Sequence, residues 1–372
     1  MKVALDVSAV PPRIAGAGRY IAELAARLPA RDVDTTLVTR RDDAQRWGER
    51  SPHAAIASIV PNARAARLTY EAWVLGTSHT ARDVELWHGP HYTMPRRGAT
   101  PTVVTIHDLT FFTNPEWHER TKVTFFRRAV TFAAEHARVL VSVSAYSARL
   151  LEEILPAHVP IVVAPLGVDL VLFRPDGADD EAALRRRSLN ADVPYVFFVG
   201  TVEPRKGLVV LLEAFSEVAR ENGEVELWLA GQAGWGVGPF VTQFDEHPFK
   251  GRIRRLGFVD EEVLPALYRR AKVVAYPSRG EGFGLPVLEA MACGASVVTT
   301  AGTVMAEVAG DGARLVPVGD ASALAGALIE AVRASDAERT TLGERARVRA
   351  EHYTWDACVD QHLVAYRMAL ES

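Results

Sequence analysis

RGEGFGLPVLEAMACG, residues 279–294, places two carboxylates, Glu281 and Glu289, around a glycine-rich turn. The preceding run, Lys272 to Tyr276 (KVVAY), reads as a buried strand, and the apolar stretch from Leu285 onward reads as a helix. A strand, a glycine loop and a helix in that order present unpaired backbone N–H groups, and the positive end of a helix, to an anion. Glu281 and Glu289 cannot bind that anion, so they are expected to grip neutral hydroxyls beside it. Ordinary turn and capping chemistry also puts Gly-x-Gly before a helix. The remainder of the chain has to decide between the two readings.

Short apolar, β-branched runs alternate with longer helical patterns along most of the sequence. Strands are predicted at Val3–Val7, Thr36–Thr39, Val84–His88, Thr102–Ile106, Val139–Val143 and Ile161–Ala164. A second series follows at Tyr195–Gly200, Val225–Ala230, Ile253–Gly257, Val273–Tyr276, Ser296–Thr299 and Ala313–Val316. Such alternation implies parallel sheets with helices on both faces, and two series imply two doubly wound domains. The join is expected near Phe173-Arg-Pro-Asp-Gly-Ala-Asp-Asp180, where proline, glycine and acids interrupt the pattern. This divides the chain into 1–173 and 174–354, with a last helix, Trp355–Ala369, expected to cross back onto the first domain.

With 372 residues, the chain is long enough for two cores. The 42 Lys and Arg against 46 Asp and Glu leave a net charge of −4, which argues against a nucleic-acid partner. Only two cysteines occur, Cys293 and Cys358, so no disulfide framework is expected and both read as core residues. The N-terminus runs straight into strand-like sequence without a secretion signal, and no run of about 18 apolar residues suggests a membrane span. A cytoplasmic location is the expectation.

In open α/β sheets, ligands bind outside the carboxyl ends of the strands. The unusual clusters fall at such positions: Pro11–Arg19, His88-Gly-Pro-His91, His107-Asp108, Glu203-Pro-Arg205-Lys206-Gly207, Gly231–Gly238 and the 279–294 segment. Arg205 and Lys206, on a strand-to-helix turn, suit a diphosphate, with a solvated basic turn as the alternative. A ligand carrying both a phosphate and hydroxyl-rich rings is a nucleotide sugar. His107 ends an apolar strand and is placed to meet a sugar hydroxyl or to serve a structural role; Asp108 orients it or bonds its own turn. Gly16 and Gly18 permit close backbone approach at a helix start. Neither Asp32-Val-Asp34, at the wrong sheet end, nor His88, His91, His107 and Asp108 offers a convincing metal site.

Together these residues resemble the family-four retaining glycosyltransferases of the GT-B fold. The resemblance rests on GAGRY, WHGPHYTMP, TIHDL, VSAYSARLL, VAPLGVDLVLFRP, FVGTVEPRKGL, LWLAGQAGWG, RIRRLGFVDEEVLPALYRRA and YPSRGEGFGLPVLEAMACGASVV, and covers almost the whole chain. It implies two Rossmann-like domains facing across a cleft, and transfer of a hexose with retention, without metal or other cofactor. It implies that Arg205 and Lys206 bind the diphosphate, that Glu281 faces the donor sugar as a positioning and electrostatic group, and that Glu289 holds the ribose. His107 would lie near the transferred sugar. Gly282, Phe283, Gly284, Leu285, Val259, Gly16 and Gly18 complete the donor contacts. Arg19, Tyr20, His88, His91 and Asp108 would lie on the acceptor side, where Ala15 stands in place of a glycine common in the family. WHGPHYTMP and TIHDLTFFTNPEWHER look most like bacterial mannosyltransferases, so GDP-mannose is the expected donor, with a UDP sugar next, and a glycan, lipid-linked or small-molecule hydroxyl is the acceptor.

Two rivals remain open: a sugar-nucleotide epimerase of the same fold, and a catalytically silent nucleotide-sugar binder. The segment Arg120-Thr-Lys-Val-Thr-Phe-Phe-Arg-Arg128 mixes basic and aromatic residues on a predicted helix. It would either dock on an anionic bilayer or turn its phenylalanines inward.

Overall fold

The structure, a computed structural model, describes residues 1–371 apart from Arg13, Ala15, Pro156, Ala157 and Ala191. Ala15, where the glycine loop departs from the family pattern, therefore lies outside the described residues. The chain divides into two compact units, Met1–Gly167 with Trp355–Ser372, and Val168–Thr354.

Among the described residues, thirteen strands form two sheets in which every pairing is parallel. The first unit holds β1 (Lys2–Asp6), β2 (Asp34–Arg40), β3 (Ala55–Val60), β4 (Leu86–Gly89), β5 (Thr102–Ile106), β6 (Val139–Ser142) and β7 (Ile161–Val163), in the order β3-β2-β1-β4-β5-β6-β7. The second holds β8 (Tyr195–Val199), β9 (Glu226–Ala230), β10 (Ile253–Gly257), β11 (Val273–Tyr276), β12 (Val297–Thr300) and β13 (Arg314–Val316), in the order β10-β9-β8-β11-β12-β13. β4, β5, β6, β11 and β12 are buried at every position, which is why they read as unbroken apolar runs and not as alternating ones.

Each strand order runs outward from its first strand and then reverses. The reversal falls between β1 and β4 in one sheet and between β8 and β11 in the other. At such a switch point the connecting loops diverge to opposite faces and leave a crevice at the carboxyl ends. Both units are Rossmann-like in this sense.

Two expectations need correction. β3, AIASIV, is absent from the sequence reading because alanine and serine dilute its β-branched signal. It is an edge strand paired only with β2 and mostly half-buried. The domain join was placed after Phe173, but Phe173 belongs to the second unit. Its ring is fully buried and packs 6.2 Å from that of Tyr268, its carbonyl accepts from Arg347, and Val168 already bridges to Thr354. The proline and acids beyond Phe173 mark a surface turn, whereas the change of core comes several residues earlier.

The last helix, Trp355–Glu371, packs on β4 to β7 and on the helix Ala17–Arg27, so it returns to the first unit. Among the described residues no helix is long and apolar enough to cross a membrane.

Candidate active site

In the second unit the β8/β11 switch point gathers the charged residues. After β8 the chain makes a single turn, Pro204–Lys206, and Gly207 then starts the helix Leu208–Glu221 at φ +70°. A Cβ on Gly207 would lie 2.1 Å from the Pro277 carbonyl oxygen, so only glycine lets this turn rest on the loop that follows β11. The two loops are joined at the Arg205 carbonyl, which accepts from the Arg279 N–H at 2.7 Å and the Ser278 hydroxyl at 3.0 Å.

That seam brings Arg205, Lys206 and Glu281 together. Lys206 Nζ donates to Glu281 Oε1 at 2.6 Å and to the Tyr276 hydroxyl at 2.7 Å. Arg205 donates to the other carboxylate oxygen of Glu281, and its Nε donates to Glu203 at 2.9 Å. Ser278 and Tyr276 hydroxyls donate to Glu281 Oε1 at 2.7 and 3.2 Å. The side chains of Glu281 and Lys206 are only 9% and 10% exposed. Burial pushes the Glu281 carboxyl up, but Arg205, Lys206 and the hydrogen bonds outweigh it and hold the group at about 2. Burial lowers the Lys206 ammonium, with Arg205 adding to the shift and Glu281 opposing it.

Glu281 is followed by Gly282 and Phe283, both buried, with Phe283 edge-on to Tyr353 at 5.7 Å. Gly284, at φ +105°, caps the helix Leu285–Ala292, and a Cβ there would meet Met305 Cε at 2.3 Å. Glu289 lies inside that helix, buried, and accepts from the Tyr268 hydroxyl at 2.9 Å. Leu285 opens the helix and is buried, and Val259 is buried just past β10. A cavity of about 320 Å³ at the ends of β8, β9 and β10 is lined by Phe198, Leu229, Gly231, Phe240 and Arg255, among others. Tyr268, Tyr276 and Ser278 contact these side chains and went unnamed as site residues in the sequence reading, while Glu203 stood there only as part of its cluster. The available signal was position, since Tyr276 ends β11 and Ser278 stands three residues before Glu281.

In the first unit the predicted acceptor-side residues part company. Tyr20 and His88 are 0% exposed. The Tyr20 hydroxyl meets Thr105 Oγ1 at 2.8 Å and His362 Nε2 at 2.7 Å, while His88 meets Thr105 at 2.8 Å and Tyr366 at 2.7 Å. These two residues tie the last helix to the sheet and offer no face to an acceptor. Burial drives His88 well below the ordinary histidine range, so its ring is neutral. With both ring nitrogens engaged, His88 is not a metal ligand either. Among the described residues no three His, Cys, Asp or Glu side chains cluster as a metal site.

His91 is half-buried, and His107 is buried beside it. His107 Nε2 hydrogen-bonds the Pro90 carbonyl at 2.8 Å, which places the proton on Nε2 and leaves Nδ1 an acceptor; burial lowers its pKa. His91 packs against Tyr92 and His107 at 4.8 and 5.6 Å between ring centres, and burial, then His107, lowers it to about 3. Asp108 accepts from the Thr110 N–H at 3.2 Å and hydroxyl at 2.9 Å, so it serves its own turn. Gly16, at φ +51°, precedes the helix Ala17–Arg27, whereas Gly18 is already inside that helix with Val10 3.4 Å from its notional Cβ. Gly18 is thus a packing position, and Arg19 follows it, half-buried in the first turn.

Comparison with known proteins agrees with this geometry. The sequence model of the family described as "Glycosyl transferases group 1" matches residues 179–349, and that of "Glycosyltransferase Family 4" matches residues 14–172. O-antigen chain mannosyltransferase B of Escherichia coli is 29% identical over 99% of this chain and 100% of its own length. Sucrose-phosphate synthase from Thermosynechococcus elongatus superposes with a TM-score of 0.79 at 23% identity, over 98% of each chain. The Anabaena protein HepE, solved in complex with UDP and glucose, superposes with a TM-score of 0.78 at 21% identity, over 99% of each chain. The two family models together run through most of both units. The chain belongs to the group 1, family 4 glycosyltransferases.

Proposed function

We propose that this glycosyltransferase moves mannose from GDP-mannose to a hydroxyl of a glycan or lipid-linked acceptor, with retention at the anomeric carbon and without a metal. The observation that carries the reading is the convergence of Arg205, Lys206 and Glu281 at the β8/β11 switch point, beside the glycine-capped helix that holds Glu289. The choice of mannose rests on the likeness to an O-antigen chain mannosyltransferase.

The roles follow from charge. The diphosphate lies on Arg205, Lys206 and the N–H groups that open the helix Leu285–Ala292, and Glu289 accepts from ribose hydroxyls. The bond between the anomeric carbon and the phosphate oxygen breaks, and the electron pair leaves with GDP. Arg205 and Lys206 stabilise that developing charge. The acceptor hydroxyl bonds to the anomeric carbon from the face GDP is leaving, and its proton passes to the departing phosphate oxygen. Glu281, ionised throughout the neutral range, positions the two cations and accepts from a sugar hydroxyl, so no protein nucleophile is required.

A panel of GDP and UDP sugars, screened first by thermal stabilisation and then by nucleotide release with and without EDTA, tests this. GDP-mannose should stabilise most, and product NMR should show the donor's anomeric configuration. Inversion, loss of activity in EDTA, or preference for a UDP sugar would each overturn the corresponding part. Epimerised donor with no nucleotide release would sink the transferase mechanism.

A further inference from the structure

A hollow of about 610 Å³ lies in the first unit between the helices Arg64–Trp73 and Arg120–His136. Its size is that of a small-molecule site. Its position is also that of a site. Glu71, in its wall, accepts from the hydroxyl of Ser8, two residues past β1, at 2.9 Å, while Thr93 and Met94 of the wall follow β4. It therefore flanks the β1/β4 switch point, where an open α/β sheet binds ligands.

The lining has two chemistries. Leu68, Met94, Phe125 and Phe132 supply apolar surface, and Phe125 is 38% exposed although its neighbour Phe126 packs inward on Tyr92 and Phe111. One phenylalanine of this helix thus turns inward and the other faces the hollow. Arg96, Arg120 and Arg128 also line the hollow, and among the described residues none of the three has a carboxylate partner. Some arginines elsewhere on the surface are paired, as Arg31 is with Asp356 and Asp360, and Arg333 with Glu221, so it is the gathering of three around one apolar trough that distinguishes this place. Three guanidinium groups without a carboxylate partner, Arg96 lying 4.6 Å over the Phe132 ring, surround one apolar trough in a chain of net charge −4 and call for an anion that carries hydrocarbon.

We infer that this hollow is an acceptor subsite for a phosphorylated amphiphile, its phosphate on Arg96, Arg120 and Arg128, its alkyl part on Leu68 and Phe125, and a hydroxyl on Glu71. The inference rests on the transferase reading, in that it names the class of acceptor for that reaction. Glu71 suits the hydroxyl role because Ser8 donates to its Oε1 and the Arg67 Nε lies 3.2 Å from the same oxygen. Burial and the nearby Asp6 also raise its carboxyl to about 7, so it accepts or donates near neutrality.

Calorimetric titration of the full chain with octyl phosphate below its micelle-forming concentration tests this, with inorganic phosphate and octyl glucoside as the separate halves. Octyl phosphate should bind about tenfold or more tighter than either half, and more weakly as salt rises. Arg120→Gln with Arg128→Gln should weaken it about tenfold, and Thr124→Trp, an exposed position that fills the hollow, should do the same without touching a charge. Equal affinity in wild type and both variants overturns the subsite. Co-sedimentation with anionic vesicles that the arginine variants lose but Thr124→Trp keeps also overturns it, since adhesion to a bilayer surface needs no hollow. Nucleotide-sugar binding is followed in parallel. If it fails while octyl phosphate binds as described, the transferase reading fails and the subsite stands.

Discussion

Lys206 Nζ lies 2.6 Å from Glu281 Oε1, a contact between residues 75 positions apart that joins the loop after β8 to the loop after β11. Both side chains are almost wholly buried, and Arg205 closes the cluster from the other carboxylate oxygen. The cluster has two cations and one shared anion, so it carries a net positive charge that Glu203 offsets from outside. A diphosphate arriving here meets cations already fixed in place, at no further cost in ordering them.

Lys206→Ala should reduce nucleotide release by about 10²- to 10³-fold, the range for removing one fixed electrostatic group. Glu281 would keep Arg205 and Ser278 as partners, so the fold should survive. A variant that folds and turns over at the wild-type rate would remove Lys206 from the mechanism.

Glu281 makes acid stability depend on itself. Its carboxyl falls from the ordinary 4.5 to about 2, so its contribution is present above 4.5 and is lost as pH falls from 4.5 towards 2. The full contribution is about 3 kcal/mol from that shift. Denaturant midpoints of wild type and Glu281→Gln, compared between pH 6 and pH 2.5, should converge in acid.

Glu71 works with the opposite sign. Its carboxyl rises from 4.5 to about 7, so stability is fullest below 4.5 and declines as pH climbs through 7. Glu71→Gln should flatten that decline. Melting curves at pH 5 and pH 8 check it, and an identical loss in both proteins would assign the pH dependence elsewhere.

Gly207→Ala should destabilise the second unit by more than about 2 kcal/mol, since it adds a left-handed backbone penalty to a contact of 2.1 Å with the Pro277 carbonyl. The same change should weaken donor binding, because it displaces the turn that carries Arg205 and Lys206. Unchanged donor affinity in a destabilised variant would separate the two roles.

Tyr20→Phe should cost about 1–3 kcal/mol, because it strips a partner from Thr105 and from His362 inside the core. Donor affinity should stay at the wild-type value. A selective loss of activity at constant stability would return Tyr20 to the acceptor side.

Much of the fold was legible because β4, β5, β11 and β12 are buried on both faces and therefore read as continuous apolar runs. β3 was illegible because an edge strand with one partner tolerates alanine and serine. The glycine loops at strand ends, and the charged residues on them, could be found from position and residue type. Tyr20 and His88 could not be sorted, since a polar residue at a strand end or helix start reads the same whether it faces a ligand or a buried partner. The hydrogen bonds to Thr105, His362 and Tyr366, which span up to 342 positions, decide the matter.

Glu281 and Glu289 mark the same division. Local chemistry was enough to put a glycine turn, a helix start and two carboxylates after a buried strand, because backbone propensity and hydrophobic periodicity act over a few residues. Which partners each carboxylate takes depended on chain segments far away. Arg205 and Lys206 reach Glu281 only because parallel pairing sets β8 beside β11, and Tyr268 reaches Glu289 only through the packing of the helices Leu264–Arg270 and Leu285–Ala292. Charge and burial are properties of that packing, which is why the ionisation of Glu281 and the gathering of arginines around the first-unit hollow belong to the tertiary structure alone.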